Sequence, residues 1–118
     1  MIQEYKNILL RDLCARMPYE VKCKYYDVYE NCYEEGTVLG FERKEYIVID
    51  GKCVIAEEVK PYLFPLSSMT EEERIAIGNE FAYGQPHKAM DLLHKRHIDY
   101  RGLIPMGLAI DATGLNIY

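Results

Sequence analysis

The sequence predicts an α+β fold: an N-terminal helix, a small antiparallel barrel-like sheet, and a C-terminal helical segment. Three observations carry this prediction. Apolar residues recur at three- and four-residue steps near the start of the chain, alternate with polar residues through much of 19–56, and return to helical spacing after residue 70. A chain of 118 residues has the usual length of one domain, so 1–118 is predicted as a single domain. Its barrel core is assigned to 19–62 and its helical segment to 63–118.

The N-terminal helix is predicted over 3–16. Pro18 ends it, because a proline drives the preceding residue out of the helical region. Residues three or four positions apart form one apolar stripe that faces the core. They are Tyr5, Ile8, Leu9, Leu13 and Met17.

The first strand follows this helix. Apolar and polar residues alternate from Tyr19 to Tyr25, which is typical of a strand with one face on a core and one in water. The acidic stretch 27–36 is predicted to be an irregular loop or a short hairpin.

The remaining strands are predicted over 37–43, 45–50 and 53–56. Gly40 marks a bulge, and Asp50-Gly51 is a strong signal for a tight turn between two strands. Four to five short strands in this space are expected to close, since closure removes exposed edges. The predicted architecture is a barrel of the Src-homology-3 type.

The C-terminal segment is predicted to begin with a helical turn over 57–62 and an apolar linker over 63–66. A capping box of Thr70 with Glu73, or of Ser68 with Glu71, then starts a helix that reaches about Tyr83. Two further helices are predicted. They span 87–97 and 101–106, the latter capped by Asp99.

Composition disfavours general nucleic-acid binding. The chain has 14 basic and 19 acidic residues and a net charge of −5, whereas non-specific binding depends on neutralising phosphates. A nucleic-acid-associated accessory protein stays open as an alternative. It requires the convergence of Lys22, Lys24, Lys95, Arg96 and Arg101.

A cytoplasmic location is expected. No apolar run reaches the roughly 18 residues of a membrane span, and the N-terminus lacks the features of a secretory signal. The four cysteines form no CxxC pair, so they are predicted to be buried thiols rather than zinc ligands or disulfides. No membrane partner is expected.

The histidines suggest a second alternative, a metal protein or enzyme. His94 and His97 are neighbours on a helix, and Asp91 lies one turn before His94. Two imidazoles and a carboxylate are possible metal ligands. No second carboxylate or cysteine ligand is evident in the nearby sequence, however, and no serine or glycine motif indicates a nucleophile or a phosphate loop. The sequence therefore predicts no catalytic residue, metal or cofactor.

The tyrosines favour a binding function. The chain has 11 tyrosines and no tryptophan, and tyrosine suits half-buried strands and interfaces. Tyr25, Tyr26, Tyr29 and Tyr33 are predicted to line a groove for an extended peptide. Tyr100 and Arg101 either grip an anion or acidic peptide or tie the tail to the body. The predicted function is a non-enzymatic binding or adaptor module whose partner is another protein.

Three blocks of sequence extend this picture. RDLCARMPYEVK at 11–22, EEVKPYLFPLSSMTEEE at 57–73 and DYRGLIPMGLAIDA at 99–112 resemble a family of small proteins. The family is encoded by gut bacteria of the Bacteroidetes type and by their phages and mobile elements. It has no assigned activity, so the resemblance transfers no site residue. It implies an accessory protein that acts on other macromolecules.

Overall fold

A computed structural model describes residues 2–43 and 45–118. Within them the chain has an α+β fold with an N-terminal helix, a mixed open sheet and further helices, which confirms the predicted fold class. The helices are α1 (Gln3–Arg16), α2 (Glu71–Ala82) and α3 (Pro86–Lys95), with 3₁₀ turns at Met17–Tyr19, Ala56–Glu58 and Leu66–Ser68. The strands are β1 (Lys22–Asp27), β2 (Cys32–Glu42), β3 (Tyr46–Ile49), β4 (Lys52–Ile55), β5 (Val59–Pro65), β6 (Ile98–Asp99) and β7 (Ile110–Asp111).

The sheet runs in the order β4-β3-β2-β1-β5-β6, and β7 also pairs with β5. Pairing is antiparallel from β4 through β5, whereas β6 and β7 join β5 in parallel. Among the described residues β4 pairs only with β3, so the sheet does not close. The predicted closed barrel of the Src-homology-3 type is therefore not confirmed. The sheet stays open and extends on its other side through strands contributed by the C-terminal segment.

Strand β5 replaces the predicted helical turn and linker. Val38 N–H donates to the Val21 carbonyl, so Val21 and Val38 form a hydrogen-bonded pair. In the β1–β2 register, the N–H and C=O groups of the odd-numbered residues of β1 therefore point toward β2. Cys23 and its β5 partner Pro61 consequently exchange no hydrogen bond. The missing N–H of Pro61 therefore removes no bond between β1 and β5, and the proline does not break the strand.

The two predicted turn features of the sheet are confirmed. Asp50 and Gly51 have φ of 49° and 86°, as a two-residue hairpin with a left-handed turn requires. The β2–β3 register shifts between Val38 and Gly40, which places the bulge where the glycine predicted it. The acidic stretch 27–36 forms the short hairpin between β1 and β2.

The predicted capping box of Thr70 is confirmed. The Thr70 hydroxyl accepts from Glu73 N–H at 3.1 Å, and the Glu73 carboxylate accepts from Thr70 N–H at 3.1 Å. Helices α2 and α3 follow close to their predicted positions. No helix among the described residues is long and apolar enough to cross a membrane.

The predicted third helix over 101–106 is wrong, because turns occupy that segment. Gly102 and Gly107 have φ of 78° and 77°, outside the helical region. The predicted C-terminal helical segment is therefore helical mainly in α2 and α3.

The core lies between α1 and the sheet. Leu9 and Leu13 of α1 are fully buried against inward-facing strand residues such as Ile47 and Leu63. The prediction of buried thiols holds for Cys23, and burial raises the pKa of that thiol to about 12. It is wrong for the other three cysteines, which are exposed. They are Cys14, Cys32 and Cys53.

Gly36 occupies a position in β2 where a side chain does not fit. A Cβ there would lie 2.6 Å from Ile49 Cγ2 and 2.7 Å from Asp50 Oδ2. We expect Gly36→Ala to lower the free energy of unfolding by about 1–3 kcal/mol, because Ile49 belongs to the packed core. Urea unfolding measures this difference. Gly40→Ala is the matched control, since nothing lies within 4 Å of a Cβ at that position in the same strand. Equal stability of the two variants would contradict the prediction.

Candidate functional site

A groove of about 260 Å³ lies between the end of β1 and strand β4. We call it the tyrosine groove. Its lining residues are Tyr25, Tyr26, Asp27, Val28, Tyr29, Tyr46, Lys52, Cys53, Val54, Ile55 and Glu58. The structure thus brings together three of the four tyrosines that the sequence predicted for a binding groove. Tyr33 is not in the lining; its ring packs edge-on against Tyr26 at 5.2 Å between centroids.

The tyrosines of the groove differ in what they offer to a partner. Tyr25 is 2% exposed, and its hydroxyl donates to the Glu34 carboxylate at 3.1 Å. Tyr29 is 90% exposed, Val28 is 70% exposed and Ile55 is 42% exposed. Tyr25 therefore forms a fixed floor, while the other three present apolar surface to solvent. Clustered apolar surface of this kind marks interaction sites.

Asp27 holds the groove in shape. Its buried carboxylate accepts from Tyr29 N–H at 2.9 Å and from Glu30 N–H at 3.2 Å. The Lys52 ammonium donates to its second oxygen at 2.7 Å. Because Lys52 belongs to β4, this contact joins the tip of the β1–β2 hairpin to the opposite wall of the groove. The bond from Lys52, with the two backbone bonds, holds the pKa of the Asp27 carboxyl below its usual value.

Sequence reasoning did not identify Asp27 or Lys52 as site residues. An aspartate at the end of a strand that caps the following turn is a recognisable local signal. Its pairing with a lysine 25 positions later is not.

The surroundings of the groove are acidic. Lys52 is engaged by two carboxylates, Asp27 at 2.7 Å and Glu34 at 3.5 Å. Glu58 lines the groove, and the Glu42 carboxylate lies 2.9 Å from the Cys53 thiol. The contact with Glu42 raises the pKa of Cys53, so this thiol is protonated at neutral pH. The groove therefore favours cationic over anionic partners.

Tyr100 and Arg101 belong to a cluster of charged and aromatic side chains around the buried Asp12 and Arg16 of α1. Asp12 accepts from Arg16 Nε at 2.7 Å and from Arg101 Nε at 3.1 Å. The guanidinium carbons of Arg16 and Arg101 lie 5.0 and 5.1 Å from the centroid of the Tyr100 ring. Arg16 also donates to the Ile98 carbonyl at 2.6 Å. These contacts tie the segment after α3 to α1.

The histidines of the metal alternative have separate surroundings. His94 Nε2 is 2.7 Å from the Tyr100 hydroxyl, whereas the His97 ring stacks on Tyr118 at 3.6 Å between centroids. Asp91 lies near Tyr19, and burial together with this carboxylate raises the pKa of the Tyr19 hydroxyl. Over residues 2–43 and 45–118, no group of three or more His, Cys, Asp or Glu side chains is placed to hold a metal ion. Asp91, His94 and His97 are not gathered into such a site.

His97 predicts a pH dependence of stability. Burial, with Arg16 nearby, lowers the pKa of its imidazole from 6.5 to about 4. A depressed folded-state pKa means that the unfolded chain binds the proton more readily. The contribution of neutral His97 to the free energy of unfolding is therefore fully present above about pH 6.5. It is lost as the pH falls toward 4, and the loss is on the order of 2 kcal/mol. Urea unfolding between pH 7 and pH 4 measures the loss.

His97→Gln is expected to reduce this pH dependence, and His87→Gln, at an exposed position, is expected to preserve it. Titration of the imidazole signals by NMR tests the cause directly. A His97 pKa near 6.5 in the folded protein would contradict the prediction.

The basic residues of the nucleic-acid alternative are dispersed. Lys22 lies 3.5 Å from Glu20, Arg96 lies 2.7 Å from Glu73, and Arg101 bonds to Asp12. The Lys24 ammonium lies 5.2 Å from the centroid of the Tyr33 ring. Each of these four cations has its own local partner, and Lys95 lines one cavity with Arg96.

Comparison with known proteins adds no assignment. No family model, curated protein or solved structure matches this chain. Its function must therefore be inferred from the geometry and chemistry of the groove.

Proposed function

We propose that the protein is a non-enzymatic binding module that takes an extended segment of another protein into the tyrosine groove. The observation that carries the proposal is the exposure of Tyr29, Val28 and Ile55 over a floor formed by Tyr25. Exposed aromatic rings beside a fixed apolar floor form the kind of surface on which binding energy concentrates. The Cys53 thiol on the groove has a raised pKa, which suits contact better than nucleophilic chemistry.

The size of the groove supports a peptide over an enclosed small molecule. Its volume of about 260 Å³ falls below the roughly 300–1,000 Å³ typical of small-molecule pockets. A groove of this size accepts one or two side chains of a longer chain that continues across the surface.

We propose that β1–β5 form a partly open barrel of the Src-homology-3 type. The antiparallel meander β1–β4, the 3₁₀ turn Ala56–Glu58 and the return of β5 to β1 support it. Barrels of that type bind extended peptides in aromatic-lined grooves. An accessory role toward other proteins of a phage or mobile element agrees with the resemblance of the three sequence blocks.

Selection from a phage-displayed library of random twelve-residue peptides tests the proposal. Enriched peptides are synthesised, and their dissociation constants are measured by fluorescence anisotropy. Tyr29→Ala is expected to weaken binding at least tenfold, about 1.4 kcal/mol, because an exposed tyrosine is a typical anchor. Tyr83→Ala is the matched control, since Tyr83 is 81% exposed and does not line the groove. Failure to enrich any peptide, or equal binding to wild type and Tyr29→Ala, would overturn the proposal.

A further inference from the structure

We propose that the bound peptide adds to the sheet as a new strand along the free edge of β4, and that it carries basic side chains among apolar ones. This inference rests on the proposed function of the tyrosine groove. It specifies the backbone atoms that hold the peptide and the chemistry of the partner.

The groove follows the edge of β4 rather than one of its faces. Successive side chains of a strand point to opposite faces of the sheet. The groove is nevertheless lined by four consecutive residues, Lys52–Ile55. A cavity that contacts both faces of a strand in this way lies along its edge. Over the described residues β4 pairs only with β3, so this edge is the unpaired one.

The register of the β3–β4 hairpin identifies the backbone groups at that edge. Ala56 N–H donates to the Glu45 carbonyl at 3.1 Å, and Tyr46 lies opposite Ile55. In an antiparallel pair, hydrogen-bonded and non-hydrogen-bonded pairs alternate. Val54 therefore exchanges bonds with β3, whereas the N–H and C=O groups of Cys53 and Ile55 point away from it, toward the open edge.

These groups suit an incoming strand. Within residues 2–43 and 45–118, no backbone hydrogen bond joins Cys53 or Ile55 to the facing end of β1. Cys53 and Ile55 each offer one N–H and one C=O group, and such groups at every second residue are the pattern to which a peptide bonds in strand addition. Edges are often protected by a lysine. Here Lys52, the first residue of β4, bonds to Asp27 and Glu34, so the incoming strand runs beside Cys53 and Ile55, beyond this ion pair.

Charge selects the partner. Glu58 lines the groove and Glu42 contacts Cys53, while Lys52 is already paired with two carboxylates. A peptide with lysine or arginine side chains meets complementary charge along this edge. A second copy of this chain, with net charge −5, would bring the same carboxylates against them. The structure therefore favours a basic extended peptide over edge-to-edge pairing of two copies.

Backbone methylation of one enriched library peptide tests strand addition. Each N–H of the peptide is methylated in turn, which removes one donor and preserves every side chain. We expect methylation at alternate positions to weaken binding at least tenfold, and methylation at the intervening positions to change it less than threefold. In the protein, hydrogen exchange of the Cys53 and Ile55 amides is expected to slow at least tenfold on binding. The Val54 amide, already bonded to β3, is the internal control.

The outcomes separate this inference from the proposed function. Peptides that depend on Tyr29 but show no alternation and no protection of Cys53 and Ile55 would overturn strand addition alone. Absence of any Tyr29-dependent peptide would overturn both. Enriched peptides without basic residues would overturn the charge assignment. A concentration-dependent dimer that protects the same two amides would overturn the peptide partner in favour of a second copy.

Discussion

Replacement of Asp12 by alanine is expected to lower the free energy of unfolding by about 3–5 kcal/mol. The Asp12 carboxylate is fully buried and bonds to Arg16 at 2.7 Å and to Arg101 at 3.1 Å. Without it, the fully buried Arg16 guanidinium keeps its charge and loses its counterion. An uncompensated buried charge is among the most destabilising changes a point substitution can make. Urea unfolding at pH 7 measures the loss.

Two further variants separate charge from packing. Glu4→Ala, at an exposed position of the same helix, is the matched control and is expected to change stability by less than about 1 kcal/mol. The double variant Asp12→Leu with Arg16→Met removes both buried charges and is expected to be more stable than Asp12→Ala. Arg101 is 28% exposed and can turn toward water. A double variant less stable than the single one would show that hydrogen-bond geometry, rather than the unpaired charge, dominates.

Asp99→Ala is expected to lower the free energy of unfolding by about 2–4 kcal/mol. The buried Asp99 carboxylate accepts from Leu103 N–H at 2.8 Å and from Ile104 N–H at 2.9 Å. Hydrogen bonds to a charged group contribute about 1.5–3 kcal/mol each, and loss of the acceptor leaves buried donors unsatisfied. Leu103 is fully buried in the core, so water cannot replace the hydrogen bond that its N–H group loses.

Chemical denaturation and amide exchange of Leu103 and Ile104 measure this effect. Asp111→Ala is the matched control, because the exposed Asp111 carboxylate accepts a single backbone bond, from Thr113 at 2.9 Å. Its substitution is expected to cost less than about 1 kcal/mol. Equal destabilisation by the two substitutions, or unchanged exchange at Leu103, would contradict the role assigned to Asp99.

Local chemistry accounts for the parts of the fold that the sequence predicted. The Asp50-Gly51 turn, the Gly40 bulge and the capping box of Thr70 each depend on residues within a few positions of one another. Three of the four predicted groove tyrosines were found together for a similar reason. Tyr25, Tyr26 and Tyr29 follow one another along a strand and its turn.

The wrong predictions for β5 and Cys53 depended on distant partners, whereas the third helix failed because of glycines close to it in the sequence. A proline at 61 indicates the end of an element by its own preference, yet its position opposite Cys23 makes the strand possible. Asp99 caps backbone N–H groups as predicted for a helix start, but the chain forms turns because Gly102 and Gly107 leave the helical region. Cys53 is exposed because it lies on the outward face of the four-residue strand β4, whereas Val54 faces the core, and the face is set by the pairing of β4 with β3.

The sequence by itself determined the α+β class, the Asp50-Gly51 hairpin, the approximate positions of α1, α2 and α3 and a tyrosine-rich surface, since each is specified by neighbours in the chain. Only the tertiary structure decided that the sheet stays open, that Lys52 fixes the hairpin through Asp27, and that Arg101 meets Asp12 across 89 positions. Contacts between residues far apart in sequence depend on how whole elements pack, and periodicity carries no information about which of them meet.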